Sequence, residues 1–189
     1  MILGSSLSEN AINPEFINKK TANIAFVAQP ISIDYYLLDK YIDQMPGLHT
    51  VSLEINVQNF YYDLNPLFWN GHIYSILYNI KYNVEPWSIK NYSLVISNYQ
   101  FFSSRFFDHI NPFSYKYKLN RFGSIVNDFN DRFEKLNFDT SQINNTFSLR
   151  KNLFENEEHF TANKSFVRKI IERCKAKNIR VVMLTPSAL

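Results

Sequence analysis

The sequence predicts an α/β fold in which a mostly parallel sheet is flanked by helices on both faces, a three-layer sandwich with a helical insertion in its middle. Three observations carry this expectation. Short apolar segments alternate with stretches of helical periodicity. The run Ile179-Arg180-Val181-Val182-Met183-Leu184 is almost continuously apolar, as in parallel strands buried on both faces. A helix, a short turn and that strand follow one another directly, the unit from which parallel sheets are built.

In chain order, residues 1–3 form an apolar strand that breaks at Gly4 into a small-residue turn. Residues 22–28 (ANIAFVA) make a second apolar strand, and residues 34–43 read as a helix with Tyr35, Leu38, Tyr41 and Ile42 on one face, ended by Pro46-Gly47. In residues 50–57 (TVSLEINV), Val51, Leu53, Ile55 and Val57 alternate with more polar side chains, the pattern of a third strand. Between residues 67 and 107 the spacing is helical: Phe68, Ile73, Ile76, Leu77 and Ile80 recur every three or four positions, and Pro86 opens another helix with Trp87 and Ile89. Residues 111–152 have weak periodicity and read as irregular, so residues 66–152 form an insertion within a single domain spanning 1–189. Thr161-Ala162-Asn163 then leads into a helix whose Phe166, Ile170, Ile171 and Cys174 share a face, followed by Lys177-Asn178 and a fourth strand over 179–184.

A chain of 189 residues can bury one continuous core. Its net charge of +3 is mild, and the basic residues are scattered except over 168–177, where they alternate with apolar positions as on a solvated helix face; no nucleic-acid partner is expected. No apolar run approaches the roughly 18 residues of a membrane span. The opening MILGSSLSEN has no basic start and no apolar stretch of secretory length, so the expected location is cytoplasmic. Cys174 is the single cysteine and suits a small hydrophobe on a helix. No His-x-x-x-His, Cys-x-x-Cys or Gly-x-Gly-x-x-Gly pattern occurs, so neither a metal nor a cofactor is expected.

In a parallel sheet, ligands gather beyond the carboxyl ends of the strands. Four clusters follow the four strands: Gly4-Ser5-Ser6, Ala28-Gln29-Pro30, then Asn56 with Gln58 and Asn59, and Thr185-Pro186-Ser187. A serine where a strand turns into a helix can be a nucleophile, because backbone N–H groups at the helix start can hold an oxyanion; this makes Ser6 the catalytic candidate. Ser5 and Ser6 equally suit the plain role of turn and N-cap residues.

The run Ile2-Leu3-Gly4-Ser5-Ser6, followed by Ala11-Ile12-Asn13-Pro14 and by Asn23-Ile24-Ala25 with Gln29, resembles the amino-terminal half of an SGNH (GDSL-like) hydrolase subgroup. The closing stretch from Asn163 to Pro186 resembles that subgroup's late helix and strand. The resemblance spans about 50 residues at the start and 30 at the end. It implies a flavodoxin-like SGNH fold and a serine esterase or acyl transferase acting on acyl or acetyl esters, a small-molecule or carbohydrate ester among them. It makes Ser6 the nucleophile and Ser5, Gln29 and Asn56 the oxyanion or binding residues. The chain departs from the pattern in three ways: Ala28 stands where the family has a glycine near the second strand, a clear Gly-x-Asn-Asp block is missing, and no Asp-x-x-His block is present.

A serine without a base is a poor nucleophile. His49 stands before the third strand, His72 and His109 fall in the helical middle, and His159 precedes the last helix beside Glu157 and Glu158 in a solvated loop; each suits a surface or structurally hydrogen-bonded histidine, nothing in the spacing brings one to Ser6, and His109, next to Asp108, is the least unsuitable substitute. Two expectations follow. Either the chain is incomplete at its carboxyl end, inactive in this form, and the native protein supplies Asp and His; or it is a catalytically dead SGNH-fold protein that binds a glycan or a partner protein; a soluble α/β domain of unrelated role is the plainer alternative to both. The aromatic pairs Tyr35-Tyr36, Tyr61-Tyr62, Phe101-Phe102 and Phe106-Phe107 suit packing, and less readily a sugar or lipid groove.

Overall fold

A computed structural model describes residues 1–61, 71–81, 87–97, 99–100, 103 and 157–185. Its centre is a parallel sheet of three strands, β1 (Ile2–Leu3), β2 (Thr50–Glu54) and β3 (Arg180–Leu184), in the order β1-β2-β3. Leu3 lies opposite Leu53, and Thr50 to Glu54 run in register with Arg180 to Leu184. Among the described residues the helices are α1 (Ser6–Ala11), α2 (Ile31–Tyr41), α3 (Val57–Tyr61), α4 (Gly71–Tyr78), α5 (Leu94–Ser97) and α6 (Glu157–Ala176). The chain therefore has α/β architecture around a small parallel sheet.

Residues 22–28 form less of a strand than their apolarity predicts. Ile2 N–H donates to the Ala22 carbonyl (2.9 Å), and Ile24 and Phe26 N–H donate to the carbonyls of Ile2 and Gly4 (3.0 and 3.2 Å), so the segment runs beside β1. Only one bridge, Ile2 to Asn23, is regular. Asn23 is the reason: its side-chain oxygen accepts from Ala25 N–H, while its amide donates to the Ser8 and Ile12 carbonyls of the α1 end. Such local side-chain bonds compete with a regular ladder.

β2 also stops sooner than the alternation suggests, at Glu54 rather than residue 57. The Asn56 side-chain oxygen accepts from Asn59 N–H at 2.9 Å and turns the backbone into α3, which carries Val57 out to solvent. At the other end of the chain, α6 begins at Glu157, so Glu157, Glu158 and His159 lie in its first turn and not in a loop ahead of it. Two acids at the positive end of the helix dipole favour that earlier start. In the insertion, Trp87 sits in an exposed turn followed by the 3-10 turn Ile89–Asn91, not inside a helix. The irregular stretch expected over 111–152, together with Phe68, Phe101, Phe102, Phe106, Phe107 and His109, lies outside the described residues.

The core forms where one face of the sheet meets α2 and α6. Leu3, Val51 and Leu53 pack with Leu37 and Leu38 of α2 and Ile170 of α6, all fully buried. Each such side chain contributes about 1.5–3 kcal/mol by leaving water. Tyr35 and Tyr36 pack on Phe166 with ring centroids 5.8 and 6.0 Å apart, so this pair helps join α2 to α6. Cys174 is buried in the same core, and burial pushes its thiol up to about 11. Asn178, just past α6, has φ of 55°, and Ile179 and Asn178 N–H donate back to the carbonyls of Cys174 and Lys175; this left-handed cap delivers the chain into β3. Among the described residues no helix is long and apolar enough to cross a membrane.

Candidate functional site

The carboxyl ends of β1 and β2 lie side by side, and the residues that leave them meet. β1 is followed by Gly4, whose φ of 144° is a backbone state that side chains disfavour. A Cβ placed there would lie 2.4 Å from Glu54 Cβ and 2.8 Å from Glu54 Oε2. Gly4 thus serves two purposes: it makes the sharp exit into Ser5, and it lets the last side chain of β2 lie directly beneath that turn.

Glu54 is fully buried, and its carboxylate is the hub of the site. Oε2 accepts the backbone N–H groups of Ser5 and Ser8, each at 2.9 Å. Oε1 accepts the Ser5 hydroxyl at 2.5 Å, the Asn56 amide at 2.8 Å and the Asn59 amide at 3.4 Å. A buried carboxylate is tolerated when donors surround it, and here there are five contacts from two loops and a helix start. Ser5 is the N-cap of α1, yet its side chain makes no capping bond to the helix. Glu54 takes that place at the Ser8 N–H, reaching across from the neighbouring strand.

Ser6 is the first residue of α1 and is half-buried. Its carbonyl accepts from the Asn10 amide, and among the described residues no hydrogen bond reaches its hydroxyl. The two serines of the turn therefore differ: Ser5 Oγ is committed to Glu54, and Ser6 Oγ is not.

Gln29 lies in a separate, deeper network. It is buried; its amide donates to Asp34 Oδ1 at 2.6 Å, and its oxygen accepts the Tyr74 hydroxyl at 2.6 Å. Asp34 Oδ1 also accepts Gly4 N–H at 3.0 Å, which is the link from this network to the turn. Ala28, just before Gln29, has φ of 55°. Burial raises the Asp34 carboxyl to about 8, against the pull of the Gln29 and Gly4 bonds and with a further upward push from Glu54. Oδ2 of Asp34 has no partner, consistent with a protonated acid. The Tyr74 hydroxyl is raised as well, first by burial and then by Asp34.

Of the residues expected at the mouth, the structure brings Ser5, Ser6 and Asn56 together and sets Gln29 apart. His49 stands at the opposite end of β2, beside the start of β3. His72 is in α4 and His159 in the first turn of α6. That turn is anchored on α3, where the Phe160 ring lies 5.4 Å from Phe60 and 5.2 Å from Tyr61. Among the described residues no cluster of His, Cys, Asp or Glu could hold a metal ion.

The sequence does not single out Glu54 or Asp34. Glu54 occupies a polar slot in an apolar alternation, which reads as a solvent-facing position; the usable signal is that it is the last residue of a parallel strand, where side chains meet the neighbouring turn. Asp34 reads as an acid in the first turn of a helix. No family model matches this chain, and neither a curated protein nor a solved structure was found to match it.

Proposed function

We propose that this chain carries the nucleophile of an SGNH-type, GDSL-like serine ester hydrolase or acyl transferase, acting on acyl or acetyl esters, carbohydrate esters among them. In this reading the small sheet belongs to a three-layer, flavodoxin-like arrangement. In support, residues 22–26 pair with β1 on the side away from β2, so the segments follow the order 2-1-3-4 along the sheet, as in flavodoxin-like folds. In such sheets the site lies where the order reverses, between the first and third segments, and Gly4-Ser5-Ser6 and Asn56 leave the sheet there.

The observation that carries the reading is the uncommitted Ser6 hydroxyl, half-buried beside a Ser5 whose N–H and hydroxyl are both held by Glu54. In the reaction Ser6 Oγ bonds to the ester carbonyl carbon, the carbonyl electron pair moves onto oxygen, and the hydroxyl proton passes to a base. That base is an Asp-x-x-His histidine in the family this chain resembles. The alkoxide then departs with the proton, leaving an acyl-serine for water or an acceptor alcohol.

A second reading, a catalytically inert protein of the same fold that binds a glycan or a partner, is favoured by the commitment of Asn56, Ser5 N–H and Ser8 N–H to Glu54, which removes three donors from an oxyanion. The two are separated on protein isolated from its native source, by intact mass and by reaction with a fluorophosphonate probe. The hydrolase reading expects a stoichiometric adduct mapped to Ser6, abolished in Ser6→Ala, with loss of ester hydrolysis by at least about 10³-fold. An unlabelled Ser6 in the folded native protein rejects the hydrolase and leaves the binding protein.

A further inference from the structure

The nucleophile reading names Ser6 but leaves open what holds it in place. α1 has six residues and its cap residue makes no capping bond, so the turn before it has little order of its own. What fixes it comes from outside. Gly4 N–H is held by Asp34, and Ser5 N–H, Ser5 Oγ and Ser8 N–H by Glu54. Three of these four bonds end on one carboxylate, and they bracket Ser6 on both sides in the chain. The same carboxylate holds Asn56 and Asn59, so the loop after β2 is indexed to the turn after β1.

Resting on the Ser6 reading, we propose that Glu54 is the positioning residue of the site: its buried carboxylate clamps Ser5 and Ser8 and thereby aims the Ser6 hydroxyl into the mouth between β1 and β2. Glu54 is not the base. Its Oε1 already receives three donors, among them the Ser5 hydroxyl, and no bond to Ser6 is present among the described residues. The clamp also explains the paired serines. Ser5 supplies a hydroxyl to the carboxylate so that the next residue can present one to the substrate.

The test uses the native-length protein in four forms, unaltered, Glu54→Gln, Ser5→Ala and Ser5→Thr, with two readouts. The first is the chemical shift and exchange rate of the Ser5 and Ser8 amides; the second is kinact and KI for the fluorophosphonate probe at Ser6. In Glu54→Gln the one remaining oxygen can accept from Ser5 and Ser8 N–H only by turning the new NH2 toward the Asn56 and Asn59 amides, and it carries no charge, so both amide signals are expected to move and to exchange at least about tenfold faster. kinact is expected to fall by at least about tenfold with KI little changed, because an aimed nucleophile affects the reaction step and not probe binding. Ser5→Ala is expected to lose part of that rate and Ser5→Thr, which keeps the hydroxyl, to restore it. If Glu54→Gln fails to fold, the Ser5 pair decides in its place.

Unchanged Ser5 and Ser8 amides in folded Glu54→Gln overturn the clamp. Changed amides with an unchanged kinact overturn the positioning role while Ser6 stands as nucleophile. No labelling of Ser6 in the unaltered protein overturns the nucleophile reading itself, and the positioning role with it, a result distinct from the other two.

Discussion

At the scale of single residues, the chain places backbone strain and buried polarity around one turn. Ala28 is the clearest case, since it adopts φ of 55°, where a side chain costs roughly 1–2 kcal/mol and glycine does not. Ala28→Gly is expected to stabilise the chain by about 0.5–1 kcal/mol after glycine's larger unfolded-state entropy is subtracted, read as an upward shift of the urea midpoint. Asp34 makes stability depend on pH. Its carboxyl sits at about 8 in the folded chain against an ordinary 3.8, so the folded state holds this proton more tightly than the unfolded one. The contribution is complete below the ordinary value and is lost as pH rises toward and through about 8. Urea midpoints for the unaltered chain are therefore expected to drop between pH 5 and 8.5 on this group's account. Asp34→Asn keeps an oxygen for Gly4 and Gln29 and should flatten that slope; an equally steep slope in the variant would remove Asp34 as its source.

At the scale of elements, what the sequence made legible was whatever apolar periodicity controls. The α6 face of Phe166, Ile170, Ile171 and Cys174 and the strand after it follow from spacing alone, and all four side chains pack in or against the core. Boundaries were less legible because polar side chains set them. Asn56 ends β2, Asn23 disturbs the segment beside β1, and two glutamates open α6 early. Each acts through side-chain hydrogen bonds or a helix-end charge, which no periodicity records. α2 illustrates the reverse: its first turn buries Ile31 and Ile33 together with Ser32 and Asp34, so its start is packed on all sides and reads poorly as an amphipathic helix. The firm part of α2 is its middle. Leu37→Ala, at a fully buried position, is expected to cost about 2–5 kcal/mol, measured as the loss in unfolding free energy.

At the scale of the whole molecule, the α/β class is legible because parallel sheets need helices between their strands. The candidate site was legible in half. Ser5, Ser6 and Asn56 converge because each leaves a neighbouring strand at the same end, a consequence of topology that motif and strand order anticipate. Gln29 follows the same rule on paper, yet in the structure it turns inward to Asp34 and Tyr74, because a buried acid and a buried phenol each need a partner. Glu54 joins the site for the same reason. Both outcomes depend on three-dimensional satisfaction of polar groups, which a linear pattern does not contain.

Cys174 gives this architecture a built-in gauge. The chain has one thiol, fully buried where α6 meets the sheet, with its ionisation pushed up to about 11. Only an exposed thiolate attacks a disulfide reagent, so the folded chain withholds its thiol until α6 lifts away. The speed of that reaction, compared with the speed for denatured chain, counts how often the helix opens. Any weakening of the α2–α6 contact is thereby written into the colour change of one cysteine, without a label, a tag or knowledge of a substrate.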